Sequence, residues 1–417
     1  MKWTRKHGRK KLVVLFLASD CVAAWAAGQL RSAHDRAMVT NMMGQKQTVC
    51  VGRFLVDVPT AAEFSVSGER ILGFAIDTIE ENEAAFAERL AAREVEIRAH
   101  DATDDHIGEG GMIGAHNLTI PGLVGRSFIC GRSRGYLMDG DRCIDMESVS
   151  VEAHTHLDGF SFTLSATAVQ EECARGAEAL LANLRVCGEN EIPSVPGGFC
   201  IWSAVSVEPP PKHKSEWVTL HVALPGHPDM GLAFDSTDST LLERIANTDA
   251  EAGGVEMLSL IKLRPGKRSI NGIHGEEEIE RVREVNFTTG CSFMWEAQGS
   301  TDDLLQPYLL MNMETGTNPR LGGRSVDSSL YEDAVLAFWD GIALSIGLRG
   351  TSVPPSIRES KPVLLFCWNC LQSYNTLCVS DEVMSDTDRF DDGTKLKLQS
   401  AWLLTRNPID KLVSTLP

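Results

Sequence analysis

Positive charge is what this chain is shortest of. Across 417 residues, 39 Lys and Arg stand against 57 Asp and Glu, a formal net charge of −18. So acidic a surface repels phosphate backbones and anionic headgroups, which argues against nucleic acid or peripheral membrane binding; it suits a basic protein partner, or plain solubility. Phosphate-binding loops are missing as well. Gly108-Glu-Gly-Gly-Met112 has neither the lysine nor the strand–helix context of one. Core-forming material is not scarce: 43% of residues are hydrophobic and 23% charged, which excludes wholesale disorder, and the length allows two or three domains.

Catalytic constellations are also lacking. Gly131-Arg-Ser-Arg-Gly135 matches a nucleophile elbow, with Ser133 as the nucleophile of a secreted esterase. That chemistry needs a helix directly after the serine, and Tyr136 to Asp141 reads as a hairpin instead. His154-Thr-His156 puts two imidazoles on one strand face, but no third ligand is nominated, so solvent-facing histidines are the expectation. Cys367-x-x-Cys370 lacks the second pair of a zinc site and the βαβ setting of a redox motif. Asp386 to Gly393 fails as a calcium loop, because Phe390 stands where an oxygen ligand belongs. Glu276 and Glu277 are strand neighbours pointing to opposite faces, not an acid–base pair. No catalytic residue, cofactor or metal ligand is expected.

What is present begins with an export signal. Residues 1–27 combine a basic start (Lys2, Arg5, Lys6, Arg9, Lys10, Lys11), an apolar stretch from Leu12, and Ala24-Trp-Ala26 as a cleavage site; an uncleaved anchor is the alternative. Eleven cysteines in an exported chain could pair in part. Cys187 and Cys200 flank the best boundary in the chain and are candidates for a bridge, with buried free thiols as the equal alternative. That boundary is the Pro- and Gly-rich 189–198.

On either side of it the same order of elements recurs. In the first half, strands at 54–58 and 70–77 precede a helix at 82–98 capped by Asn82; strands then fill 117–168 around an Asp139-Gly140 turn, and a helix spans 170–186. In the second half, strands at 201–207, 218–224 and 230–235 precede a helix at 240–250; strands fill 256–314, a helix spans 328–339, and 342–348 closes as a strand. The pattern implies an α+β fold with two domains of similar element order, each an antiparallel sheet with two helices on one face. The divisions are 1–27 (signal or anchor), 45–188, a linker at 189–198, 199–350, and an atypical tail at 351–417.

Thr48-Val-Cys-Val-Gly-Arg-Phe-Leu-Val-Asp-Val-Pro59 resembles the opening of the type VI secretion immunity proteins that neutralise class-four lipase effectors. In the second half, Leu263 to Glu277, Phe293-Met-Trp-Glu-Ala-Gln-Gly299, Met313-Glu-Thr-Gly316 and Ser329 to Asp340 are similar to the same family. The resemblance covers roughly 45–349 and departs from the pattern after Arg349. It implies a periplasmic, two-domain protein that clamps a cognate phospholipase in a 1:1 complex, blocks substrate access and has no enzymatic activity. On that reading Asp139, Asp141, Glu276 and Glu277 are candidate partner contacts, because acidic side chains steer a basic partner. The alternatives are the Ser133 esterase and an envelope adaptor without a toxin partner.

Overall fold

The computed structural model describes residues 4–99, 111–139, 142–169, 174–188, 191–193, 198–207, 216–237, 259–300, 303, 305–320 and 322–349. Four helices lie among the described residues: α1 (Thr4–Gly44), α2 (Glu83–Ala99), α3 (Ala174–Ala182) and α4 (Glu332–Ala343). The first half contributes strands β1 (Lys46–Val51), β2 (Phe54–Pro59), β3 (Glu63–Ile71), β4 (Phe74–Glu80), β5 (Met112–Asn117), β6 (Val124–Asp139), β7 (Arg142–Leu157), β8 (Phe160–Val169) and β9 (Leu184–Val186). The second contributes β10 (Phe199–Ile201), β11 (Ala204–Ser206), β12 (Glu216–Ala223), β13 (Gly231–Thr237), β14 (Ser259–Ile270), β15 (Ile273–Arg283), β16 (Thr289–Ala297), β17 (Tyr308–Glu314) and β18 (Gly347–Leu348). The protein is α+β and mostly antiparallel sheet.

One 12-stranded sheet runs through both halves, in the order β5-β6-β7-β8-β4-β3-β12-β13-β17-β16-β15-β14. Each half, read outward from β3 or β12, has its strands in the same order: first, second, sixth, fifth, fourth, third. The first strands of the halves, β3 and β12, pair antiparallel at the centre, with Leu220 opposite Val66 and Val222 opposite Phe64. The halves are therefore joined by a continuous hydrogen-bonded ladder.

Two small sheets repeat this reciprocity. Hairpin β1–β2 of the first half is completed by β18, the closing strand of the second. Hairpin β10–β11 of the second half is completed by β9, the closing strand of the first. The segment expected as a linker thus connects two strands of one small sheet.

The helices do not share one face, contrary to expectation. Strand alternation separates β7 into two sets: Val149, Val151 and Ala153 are core residues on one side, and Glu152, His154 and His156 are on the other. α3 lies on the first side, where Glu178 bonds His116 of β5 (2.6 Å). α2 lies on the second, where Arg93 holds Glu152 (3.0 Å), Glu94 pairs with Arg126 and Phe86 packs on His156. The amphipathic stripes were legible; which side each helix took depends on crossover paths that periodicity does not encode.

Several boundaries also moved. Residues 70–77 are not one strand but a hairpin, because Leu72 (φ 58°) and Gly73 (φ 85°) turn the chain between β3 and β4. The helix expected to Val186 stops at Ala182, and Leu184–Val186 becomes β9. The strand expected from Ile342 is still α4 there and resumes as β18. Asn82 does cap α2, accepting the Ala85 N–H at 2.9 Å. The expected helix at 240–250 and the tail at 351–417, with its Cys367-x-x-Cys370 and Asp386–Gly393 motifs, lie outside the described residues.

α1 ends well inside the molecule. Ser32 bonds Asp333 (3.2 Å), Asp35 accepts the Tyr331 N–H (3.0 Å), and Val39 is fully buried. Met43 reaches across to Gly341, where an added Cβ would come within 3.0 Å of its Cε. Residues before β1 thus strap the first half to α4 of the second.

Candidate partner interface

The four acidic candidates separate by strand geometry. Asp139 ends β6 at the tip of the β6–β7 hairpin; Asp141 lies outside the described residues. Glu276 is exposed on β15. Glu277, its neighbour, faces the other way and is buried against α4, so the surface role expected for it is wrong. Its carboxylate takes the Trp339 Nε1–H (2.7 Å) and the Arg268 guanidinium, with Arg264 at 3.5 Å. Arg264 also grips Asp340 through two bonds, 2.8 and 3.1 Å, which ties the β14–β15 hairpin to α4. A buried carboxylate needs such partners, since leaving one bare costs several kcal/mol.

The outer ends of two hairpins stand free of the core. In β6–β7, Arg132, Arg134, Cys143, Ile144 and Glu147 are all exposed, although they alternate between faces. In the second half the corresponding hairpin is β15–β16, whose turn presents Val285 and Phe287 at 58% and 68% exposure. Arg283 sits 5.7 Å over the Phe287 ring. Exposed aromatics with an arginine beside them are typical interface anchors. Sequence reasoning missed both residues, because an isolated Val-x-Phe looks like any other short apolar segment.

Ser133, His154 and His156, weighed for chemistry, each have a partner within the fold. Ser133 sits in mid-strand, not on a strand–helix elbow, and its hydroxyl bonds another hydroxyl, that of Ser148 (2.8 Å). His154 and His156 do share a face, but α2 covers it. His154 is 3% exposed and bonded to Thr163 (3.0 Å) and Glu152 (3.1 Å), while His156 bonds the Glu81 carbonyl (2.9 Å). His154 is a buried histidine and His156 a half-buried one under α2, where solvent-facing residues were expected. Burial alone would raise the Glu152 carboxyl, but hydrogen bonds from His154 and Arg93 bring it down to about 2. Among the described residues no group of three or more His, Cys, Asp or Glu is placed to hold a metal.

The junction between the halves carries the densest chemistry. Cys50 of β1 and Cys200 of β10 form a disulfide across it, Cα–Cα 5.9 Å. The expected partner of Cys200, Cys187, is a free buried thiol instead. Gly52 and Cys200 exchange backbone bonds at 3.0 and 2.8 Å, which places the two cysteine strands side by side. Arg53 meets Glu216 in a buried two-point ion pair. Burial pushes the Glu69 carboxyl up to about 7, against the bond it accepts from the Trp202 N–H (2.8 Å) and with help from Asp77. Arg349, 7% exposed, donates to Cys200 Sγ (3.1 Å), Cys50 Sγ (3.5 Å), the Pro193 carbonyl (3.5 Å) and the Gly198 carbonyl.

Two like halves, locked at a buried junction and bearing exposed hairpins, define a binding scaffold. Its particular family follows from comparison with known proteins. The Tle cognate immunity protein 4 N-terminal domain matches residues 47–184, and the C-terminal domain of the same family matches residues 191–351. The chain belongs to this family of type VI secretion immunity proteins, cognate to a lipase effector. No curated protein matches the chain. Its fold is similar to that of the immunity protein TplEi from Pseudomonas aeruginosa, solved with an "L" peptide: 21% identity, TM-score 0.54, 73% of this chain and 99% of that one covered. The apo form of TplEi gives 22% identity and TM-score 0.55, over 74% and 98%. A chain of the Tle4–Tli4 complex gives 22% identity and TM-score 0.56, over 74% and 99%.

Proposed function

We propose that this protein holds its cognate type VI lipase in a stoichiometric 1:1 complex, using surface from both halves, and blocks access of phospholipid to the lipase active site. It acts as an inhibitor without enzymatic activity, in the periplasm, where the 1–27 segment directs it. The carrying observation is that both domain models of the immunity family match, one on each half. This fold is similar to that of a chain in the solved Tle4–Tli4 complex, which supports complex formation with the lipase. A toxin that destroys membranes must be held almost completely, which requires a nanomolar or tighter complex, about −12 kcal/mol. Asp139, Asp141 and Glu276 steer a basic partner, and Val285 with Phe287 supplies apolar contact. We also take the two halves to be copies of one unit, which their common strand order supports.

The test is co-expression with its cognate type VI lipase, co-purification, and assay of phospholipase activity. Loss of activity at one equivalent is expected. A tight complex that keeps full activity would overturn the blocking mechanism, and turnover of a short-chain ester lost in Ser133→Ala would overturn the non-enzymatic reading.

A further inference from the structure

Three cysteines, not two, meet at the junction. Cys187, Cys200 and Val205 form one buried cluster, with Cys50 and Val207 packed against it. Cys50, Cys187 and Cys200 line one cavity, together with Glu191, Pro193 and Trp202. Strand register puts Cys187 on the Cys200 side of the small sheet. Cys200 stands opposite Val205 and Val205 opposite Arg185, and Cys187, two residues on, gives its N–H to Ser203 (2.9 Å).

A buried cation points at the same spot. Arg349 pairs with no carboxylate among the described residues, and its Nε has no hydrogen-bond partner. Its Nη1 instead aims at both disulfide sulfurs. A neutral disulfide is a poor match for a guanidinium, whose burial without a counter-charge is costly. A thiolate is a good match, and opening the disulfide creates one.

We propose that Cys187, Cys200 and Cys50 form a thiol–disulfide exchange centre, in which the bond moves from Cys50–Cys200 to Cys187–Cys200. Cys187 gives its proton to solvent and its thiolate attacks Sγ of Cys200. The Cys187–Cys200 bond forms as the Cys50–Cys200 bond breaks, and the electron pair leaves on Cys50 as a thiolate beside Arg349. Cys50 then takes up a proton, so nothing is oxidised or reduced overall. The result exchanges a tie that closes a loop of 150 residues for one that closes only the connector between β9 and β10, which Cys187 and Cys200 flank. Burial holds the Cys187 thiol above its ordinary range, so the exchange is slow at neutral pH and accelerates as pH rises.

Two experiments decide this. In the first, Cys50→Ser is incubated with oxidised glutathione and its folded monomer is mapped by mass spectrometry. Expected is the loss of two thiols and a Cys187–Cys200 linked peptide, two glutathione molecules being released. A glutathione adduct on Cys200 with Cys187 still a free thiol overturns the proposal. The second keeps the native bond: wild type receives one equivalent of reduced glutathione at pH 8.5, followed by acid quench and alkylation. A Cys187–Cys200 peptide with alkylated Cys50 is expected, absent in Cys187→Ser and formed several-fold more slowly in Arg349→Gln. Recovery of nothing but Cys50–Cys200 and glutathione adducts overturns it, whether or not Cys50→Ser folds.

Discussion

Arg53 and Glu216 face each other across the junction, with Nε to Oε2 at 2.9 Å and Nη2 to Oε1 at 2.8 Å, both side chains buried. Arg53 follows β1 in the first half and Glu216 opens β12 in the second, so their fork is a polar rivet between the two. Arg53→Ala leaves a buried carboxylate without its main partner and is expected to cost about 3–5 kcal/mol. The double variant Arg53→Met with Glu216→Leu is expected to recover most of that loss. Guanidinium unfolding midpoints of the two variants check this.

The disulfide closes a loop of 150 residues. Constraining so long a loop removes about 5 kcal/mol of denatured-state entropy in the chain-entropy account. The pair Cys50→Ala and Cys200→Ala is expected to lower stability by a comparable amount, and a reducing agent to do the same to wild type. Equilibrium unfolding with and without the reductant measures both.

Two carboxyls give stability opposite pH slopes. Glu69 is raised from 4.5 to about 7 in the folded state, so its contribution is fully present below pH 4.5 and is lost as pH rises through 7. Glu152 is lowered from 4.5 to about 2, so its contribution is present above pH 4.5 and is lost as pH falls towards 2. Glu69→Gln is expected to flatten the decline between pH 5 and 8 and leave the acid limb unchanged. Thermal midpoints across pH 3–8 read both limbs.

At the proposed interface, Phe287→Ala is expected to weaken the effector complex by about 2 kcal/mol, roughly thirtyfold in Kd. Glu276→Lys is expected to slow association, more strongly at low salt. Glu277→Gln is expected to act on the unfolding midpoint instead, because its carboxylate is committed to Arg268 and Trp339. Surface plasmon resonance with the lipase, alongside thermal melts, separates the three.

Much of the fold was legible in the chain because periodicity reports burial directly. Phe160, Phe162 and Leu164 alternate with polar residues and form β8; Asn82 caps α2; strands expected on either side of the Asp139-Gly140 signal are β6 and β7, with Asp139 paired to Arg142. What failed needed tertiary information. A strand of three residues such as β9 has too few positions to show a period, so it merged into the preceding helix. Cys187 and Cys200 flank the boundary in sequence, yet Cys200 bonds Cys50, brought alongside by the Gly52–Cys200 backbone bridge. Consecutive glutamates give no hint of which one is inside, and Glu277 turns inward because Trp339 and Arg268 wait there. The candidate interface was least legible: Val285 and Phe287 are conspicuous through exposure alone.

The exchanged closing strands have a kinetic side. Hairpin β1–β2 is made early in synthesis, but its third strand, β18, arrives some 290 residues later at Gly347–Leu348. The other small sheet and the central β3–β12 ladder can both close once Ala223 has been made, but the β1–β2 sheet cannot. Contacts this distant in sequence are slow to form, so completion of this sheet waits for residues 347–348. A nascent copy therefore exposes the unpaired edge of β2 until β18 has been made, and until then it depends most on being kept apart from its neighbours.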